Sequence, residues 1–167
     1  MNDSQVETVE VIAQKISAEI DHRERQPHII QALLSKRQGV LVAMCDLAEL
    51  ELEEASSPAI LVSLKIFNQA LVDYSALGHF EIYERIVDGK EQRANVEKVA
   101  STVYSVISAT TEKFVEFNDK YDGADDEESI TNLFTDLSPI AESMADRIES
   151  EDRLLQQMSS TALKIPS

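Results

Sequence analysis

Phe67-Asn68-Gln69-Ala70-Leu71-Val72-Asp73-Tyr74-Ser75-Ala76-Leu77-Gly78-His79-Phe80-Glu81-Ile82-Tyr83-Glu84-Arg85-Ile86 carries two apolar stripes instead of one. At roughly 100° per residue, Leu64, Phe67, Leu71, Tyr74, Gly78 and Ile82 gather on one side of a helix and form a core face. Val62, Ile66, Gln69, Asp73, Leu77, Phe80, Glu84 and Val87 gather on the opposite side, where an ordinary amphipathic surface helix is polar. Such a helix either lies between two layers of its own protein or presents an acid-studded apolar surface to a partner. Asp73 and Glu84 weigh against the first arrangement, because an unpaired carboxylate is costly to bury. A basic partner resolves the conflict.

The rest of the chain supplies a bundle for this helix to join. Ser4 and Glu7 make a capping-box pair ahead of Val6, Val9, Ala13, Ile16 and Ile20, so a first helix is expected over about Gln5 to His22. Pro27 interrupts it and suits the first turn of a second helix, running to about Glu53. The stripe of that helix reads as Ile30, Leu34, Leu41, Met44, Leu47 and Leu52, with Arg37 among them and Gly39 as a point of close approach. Ala55-Ser56-Ser57-Pro58 then forms a turn, a cap and an N1 proline, and the third helix runs to Asp88-Gly89.

Val96, Val99, Val103, Ile107, Phe114 and Phe117 mark a fourth helix over about Lys90 to Tyr121. A fifth is expected over about Glu128 to Ala162, bent near Pro139, with the stripe Leu137, Ala141, Met144, Ile148, Glu151, Leu155 and Met158. Glu151 thus occupies a core position. Arg147 and Arg153 cannot both face it from its own helix, so a partner on another helix is expected. With four Gly and four Pro in 167 residues, the fold class is all-α. It reads as an up-and-down four-helix bundle with an additional N-terminal helix over 1–26, a single domain spanning 1–167, and a frayed tail over 159–167.

Composition narrows the function. Fifteen Lys and Arg against 31 Asp and Glu give a formal charge of -16, which argues against direct contact with a nucleic-acid backbone and favours a basic protein partner. One cysteine, Cys45 on an apolar stripe, excludes an internal disulfide and a multi-thiolate zinc site. The start of the chain lacks the basic and apolar run of a secretory signal, and no stretch reads as a membrane span. The expectation is a soluble cytoplasmic protein with no membrane partner.

Catalytic and metal chemistry find little support. A ferritin-like di-iron site needs two Glu-x-x-His motifs on separate helices, and this chain has one, Glu19-Ile20-Asp21-His22. The loop Asp122-Gly123-Ala124-Asp125-Asp126-Glu127-Glu128 has its glycine at the wrong position for a calcium loop. Phosphate-binding glycine loops are absent. Neither a cofactor nor enzymatic activity is expected; the alternative to a protein-docking role is a metal or small molecule bound in a core pocket around His79, Tyr83 and Glu151, or a scaffold for another signalling protein.

Phe67-Asn68-Gln69-Ala70-Leu71-Val72-Asp73-Tyr74, followed by Gly78-His79-Phe80-Glu81-Ile82-Tyr83-Glu84-Arg85, resembles the signature of the Rsd/AlgQ family of bacterial sigma-factor regulators. Leu137-Ser138, Ile140, Glu142 and Arg147, with Glu151-Asp152-Arg153-Leu154, resemble a second family segment, and the likeness covers about Ile30 to Met158. It departs from the family where an Asp-Arg-Trp-Leu motif falls on Gln31-Ala32-Leu33-Leu34, and where Asn68 replaces a usual cysteine.

The resemblance implies an all-helical anti-sigma factor that binds the C-terminal promoter-recognition region of the primary sigma factor, with RNA polymerase core as a possible further partner. It implies that Asp73 faces a sigma arginine. Leu77, Phe80, Glu84, Ile66 and Gln69 are the expected partner-binding neighbours of Asp73.

Overall fold

The computed structural model describes residues 30–78 and 94–163. It is all-α: helix α1 covers 30–52, α2 Ser57–Leu77, α3 Ala94–Tyr121 and α4 Leu133–Leu163, with a 3-10 turn at Glu128–Ile130. The expected helix over 5–22 and the continuation of α2 beyond Gly78 lie outside the described residues, as do Phe80, Glu84, His79 and Tyr83.

Helices α2, α3 and α4 bury residues at alternating spacings of three and four, the pattern of neighbours crossing at a shallow angle. On α2 these are Ile60, Leu64, Phe67, Leu71 and Tyr74; on α3 they are Val103, Ile107, Thr110, Phe114, Phe117 and Tyr121. Both follow the stripe read from the sequence, and Thr110 fills its one gap. The Phe67 ring meets Phe117 edge-on at 5.7 Å between centroids, and Phe117 lies 4.8 Å from Tyr121, tying α2 to α3. Tyr121 in turn donates to Asp136 on α4 at 2.6 Å.

The other two stripes are displaced from expectation. On α1 the buried residues are Leu33, Val40, Ala43 and Leu47, while Leu34 and Leu52 are exposed. On α4 they are Leu133, Leu137, Ile140, Ser143, Met144, Arg147, Glu151 and Leu154, whereas Ala141 faces solvent and Ile148 and Leu155 are half-buried. The physical reason is that both helices place charged groups in the core. Arg37 on α1 and Arg147 on α4 hold positions that hydrophobicity assigns to a neighbouring aliphatic, so the apparent stripe turns by about one residue. Gly39 is not a close-approach point either, since a methyl group placed there meets nothing within 4 Å. Cys45 is exposed rather than part of the apolar stripe.

Local chemistry sets the ends of the elements. Helix α1 closes with a Schellman motif in which Ala55 N–H donates to Leu50 O at 3.0 Å and Glu54 N–H to Glu51 O at 3.2 Å. Glu54 takes the left-handed conformation there, φ 50°. Ser56 occupies the N-cap of α2 ahead of Pro58, as expected, but makes no side-chain capping bond. Beyond the acidic loop, Ser129 N–H donates to Asp126 Oδ1 at 2.8 Å and its hydroxyl to Asp126 O at 2.7 Å. That local turn consumes Glu128–Ile130 and delays α4 to Leu133, later than the expected start at Glu128.

One exclusion from the sequence needs correction. Ser57–Leu77 is long and apolar enough, by length and composition alone, to cross a membrane. Its two apolar stripes account for this, and one of them is buried in the bundle core.

Candidate docking face and the polar layer behind it

The outward side of α2 is open. Val62 and Ile66 are 62% and 60% exposed, Gln69 is exposed, and Asp73 and Leu77 are half-buried. Gln69 donates from Nε2 to Asp73 Oδ1 at 2.9 Å, one helical turn away, which orients the carboxylate along the helix surface. Of the expected contact residues, the structure therefore places Ile66, Gln69, Asp73 and Leu77 on one continuous face.

Directly behind this face lies a buried polar layer. Glu151 of α4 is 1% exposed and accepts bonds from three side chains. Arg147 donates from Nε to Oε1 at 3.1 Å, Arg37 of α1 from Nη2 to Oε2 at 3.0 Å, and Tyr74 of α2 from its hydroxyl to Oε2 at 2.5 Å. Arg147 also donates from Nη1 to Thr111 Oγ1 at 2.7 Å on α3, and its guanidinium lies 5.2 Å from the Tyr74 ring and 5.5 Å from that of Phe114. Every described helix contributes to this layer. The expectation that Glu151 needs a partner on another helix holds through Arg37 and Tyr74, while Arg147 supplies the bond from its own helix.

The charges in this layer are mutually sustained. Burial works against the Arg37 cation, but its bonds to Asp152, at 2.8 Å, and to Glu151 outweigh this and raise its pKa. Burial, then the Glu151 charge, then the bond donated to it hold the Tyr74 hydroxyl well above the ordinary phenol range. Tyr74 is therefore a permanent donor at physiological pH. Both oxygens of Glu151 accept bonds from this layer, and His79 and Tyr83, its suggested pocket neighbours, lie outside the described residues. Among the described residues no group of His, Cys, Asp and Glu is placed to hold a metal ion.

Sequence reasoning missed Arg37 and Thr111 as members of the layer. The signal available was the charge of Arg37 within an apolar stripe, read there only as a neighbour. It also missed a groove between α2 and α3, about 290 Å³ in volume, lined by Leu71, Val72, Ser75, Ala76, Thr111, Phe114, Val115 and Asn118.

A strongly acidic helical bundle whose most apolar helix turns one face outward is the class of fold that suits a protein-binding regulator. A family model described as Regulator of RNA polymerase sigma(70) subunit, Rsd/AlgQ, matches residues 12–159. The chain belongs to the Rsd/AlgQ family, and is a regulator of sigma factor rather than an enzyme. It is 30% identical over 131 residues to the Regulator of sigma D of Yersinia enterocolitica, covering 77% of this chain and 78% of that protein. The same comparison gives 32% over 132 residues for the Regulator of sigma D of Yersinia pseudotuberculosis, with the same coverage of both chains. The protein of that name from Sodalis glossinidius is 30% identical over 131 residues, 77% of this chain and 86% of its own. No solved structure matches the chain.

Proposed function

We propose that this protein sequesters the C-terminal promoter-recognition region of the primary sigma factor in the cytoplasm, using the outward face of α2. The open apolar and acidic face formed by Val62, Ile66, Gln69, Asp73 and Leu77 carries this reading. The sigma region in question is a basic helix-turn-helix that otherwise faces DNA. An acidic helical surface competes for it by offering carboxylates where phosphates would lie. The net charge of -16 accelerates encounter with such a partner and repels the nucleic acid it is drawn from.

Asp73 is the specific contact. Its carboxylate is half-buried, fixed by Gln69 and flanked by Ile66 and Leu77, so an arginine docked on it is partly shielded from water. Regulation follows by stoichiometry: each bound sigma region is removed from polymerase and promoter without any covalent change.

Titration calorimetry of the full-length protein with the isolated C-terminal sigma region tests this. One-to-one binding that weakens steeply between about 50 and 200 mM salt is expected. Heat-silent mixing, with no complex on size exclusion, would refute it.

A further inference from the structure

The α2–α3 groove is the feature that the sigma-docking face alone does not use. Its floor is Leu71 and Phe114, both buried, and its rims are Val72, 43% exposed, and Val115, 51% exposed. Two large aliphatic side chains at that exposure on facing helices form an unpartnered apolar slot. The slot is held in shape from behind, because the Phe114 ring lies against the Arg147 guanidinium and Thr111 accepts from Arg147 Nη1.

Two further observations say what fits it. Ser75 in its wall is 8% exposed, and its hydroxyl has no hydrogen-bond partner among the described residues. An occupant that supplies a polar atom beside an apolar group satisfies it. The surface around the slot is acidic on α3: Glu112 and Asp119 stand one turn either side of Val115 and are exposed, and Asp73 follows Val72 on α2. A volume of about 290 Å³ exceeds one large side chain and is far too small for a folded element. Helix-in-groove recognition matches these dimensions, with one or two apolar anchors entering and cationic side chains lying along the acidic rim.

We infer that the α2–α3 groove is a second anchor point, receiving an apolar side chain from the same basic helical partner whose arginine meets Asp73, so that the interface wraps from the outward face of α2 onto α3. This rests on the sigma reading above and adds to it a site, an orientation and a set of residues. Val72 and Asp73 are adjacent on α2, so a partner helix crossing α2 reaches both.

The test uses the full-length protein and the isolated C-terminal sigma region. Val115→Glu places a carboxylate in the slot without touching Asp73. A loss of affinity of tenfold or more, with an unchanged melting temperature, is expected, while Val115→Leu retains affinity within about threefold. Should Val115→Glu lower the melting temperature, a second measurement decides. Ala76→Cys in a Cys45→Ser background, carrying an environment-sensitive dye, shifts to the blue when the sigma region binds.

Wild-type affinity in Val115→Glu, or an unshifted dye at Ala76 on a complex that forms normally, overturns the groove while leaving the Asp73 contact standing. A change confined to self-association of this chain, or to uptake of a small apolar dye without sigma, also overturns it. Absence of any wild-type complex removes the sigma reading itself, and the groove assignment with it.

Discussion

Arg147 stands one turn before Glu151 on α4 and donates from Nε to its Oε1 at 3.1 Å, with neither side chain more than 1% exposed. An ion pair so deeply buried gains its attraction only against a large desolvation cost. Here Arg37 and Tyr74 add bonds to the Glu151 carboxylate, Thr111 accepts from Arg147, and Asp152 takes the second arm of Arg37, while Arg37 Nε and Arg147 Nη2 stay buried without a partner among the described residues. The layer joins all four described helices at one level, and it backs both the Asp73 face and the α2–α3 groove.

Removing the shared acid should therefore be the most damaging single change in the core. Glu151→Ala leaves Arg147 buried without its countercharge and is expected to cost about 3 to 5 kcal/mol. Arg153→Ala, which breaks only the exposed pair with Glu149, should cost less than about 0.5 kcal/mol. Urea unfolding followed by circular dichroism distinguishes the two, and equal midpoints would contradict the assignment.

The tyrosines predict behaviour in alkali. The folded protein holds the Tyr74 and Tyr121 hydroxyls above the ordinary value of 10.0, burial being the first cause in each. A raised folded value means that this stabilisation is complete below pH 10 and is lost as the pH climbs beyond it. Tyr74→Phe should be less stable at neutral pH by about 1.5 to 3 kcal/mol, the worth of a hydrogen bond to a charged group. Its stability should then fall less steeply above pH 10 than that of wild type.

At the acid end the sign reverses for Asp136. Its bonds from Lys120 and then Tyr121 hold the carboxyl below its ordinary value of 3.8. A depressed folded value gives stability that is present above pH 3.8 and is lost as the pH drops through the folded value. Melting curves of Asp136→Asn collected from pH 6 to pH 2 should show a shallower decline below pH 4 than those of wild type. An identical acid limb would show that the pair contributes nothing.

Glu54 offers a stabilising change. It occupies the left-handed position of the Schellman motif that ends α1, at φ 50°, where a side chain is strained and glycine is not. Glu54→Gly should raise stability by about 1 kcal/mol, read as a higher urea midpoint with the slope unchanged. Glu53→Gly, one residue earlier, should not.

On the docking face, Asp73→Arg should abolish measurable sigma binding at physiological salt while changing stability by less than about 0.5 kcal/mol, since the residue is not part of the core. Ile66→Ala should weaken binding by about tenfold, which corresponds to roughly 1.4 kcal/mol. If Asp73→Arg binds as tightly as wild type, the contact lies elsewhere.

Periodicity alone determined much of this protein: helical class, the boundaries of α3 at Tyr121 and α2 near Pro58, and the core faces of both central helices. Those faces were legible because their buried residues are nearly all hydrophobic, so the pattern in the chain and the pattern in space coincide. The face of α1 and part of that of α4 were not, because Arg37 and Arg147 turn inward against the usual rule and look like surface residues until their partners are known, whereas Leu137, Met144 and Glu151 of α4 were read correctly as core positions. Two stripes on α2 were plain from the sequence, but only the tertiary structure decided that one of them is left open to solvent. Its position over the polar layer and beside the α2–α3 groove was decided there too. Those relations depend on residues more than thirty positions apart, and local hydrophobicity carries no information about which distant side chain satisfies a buried charge.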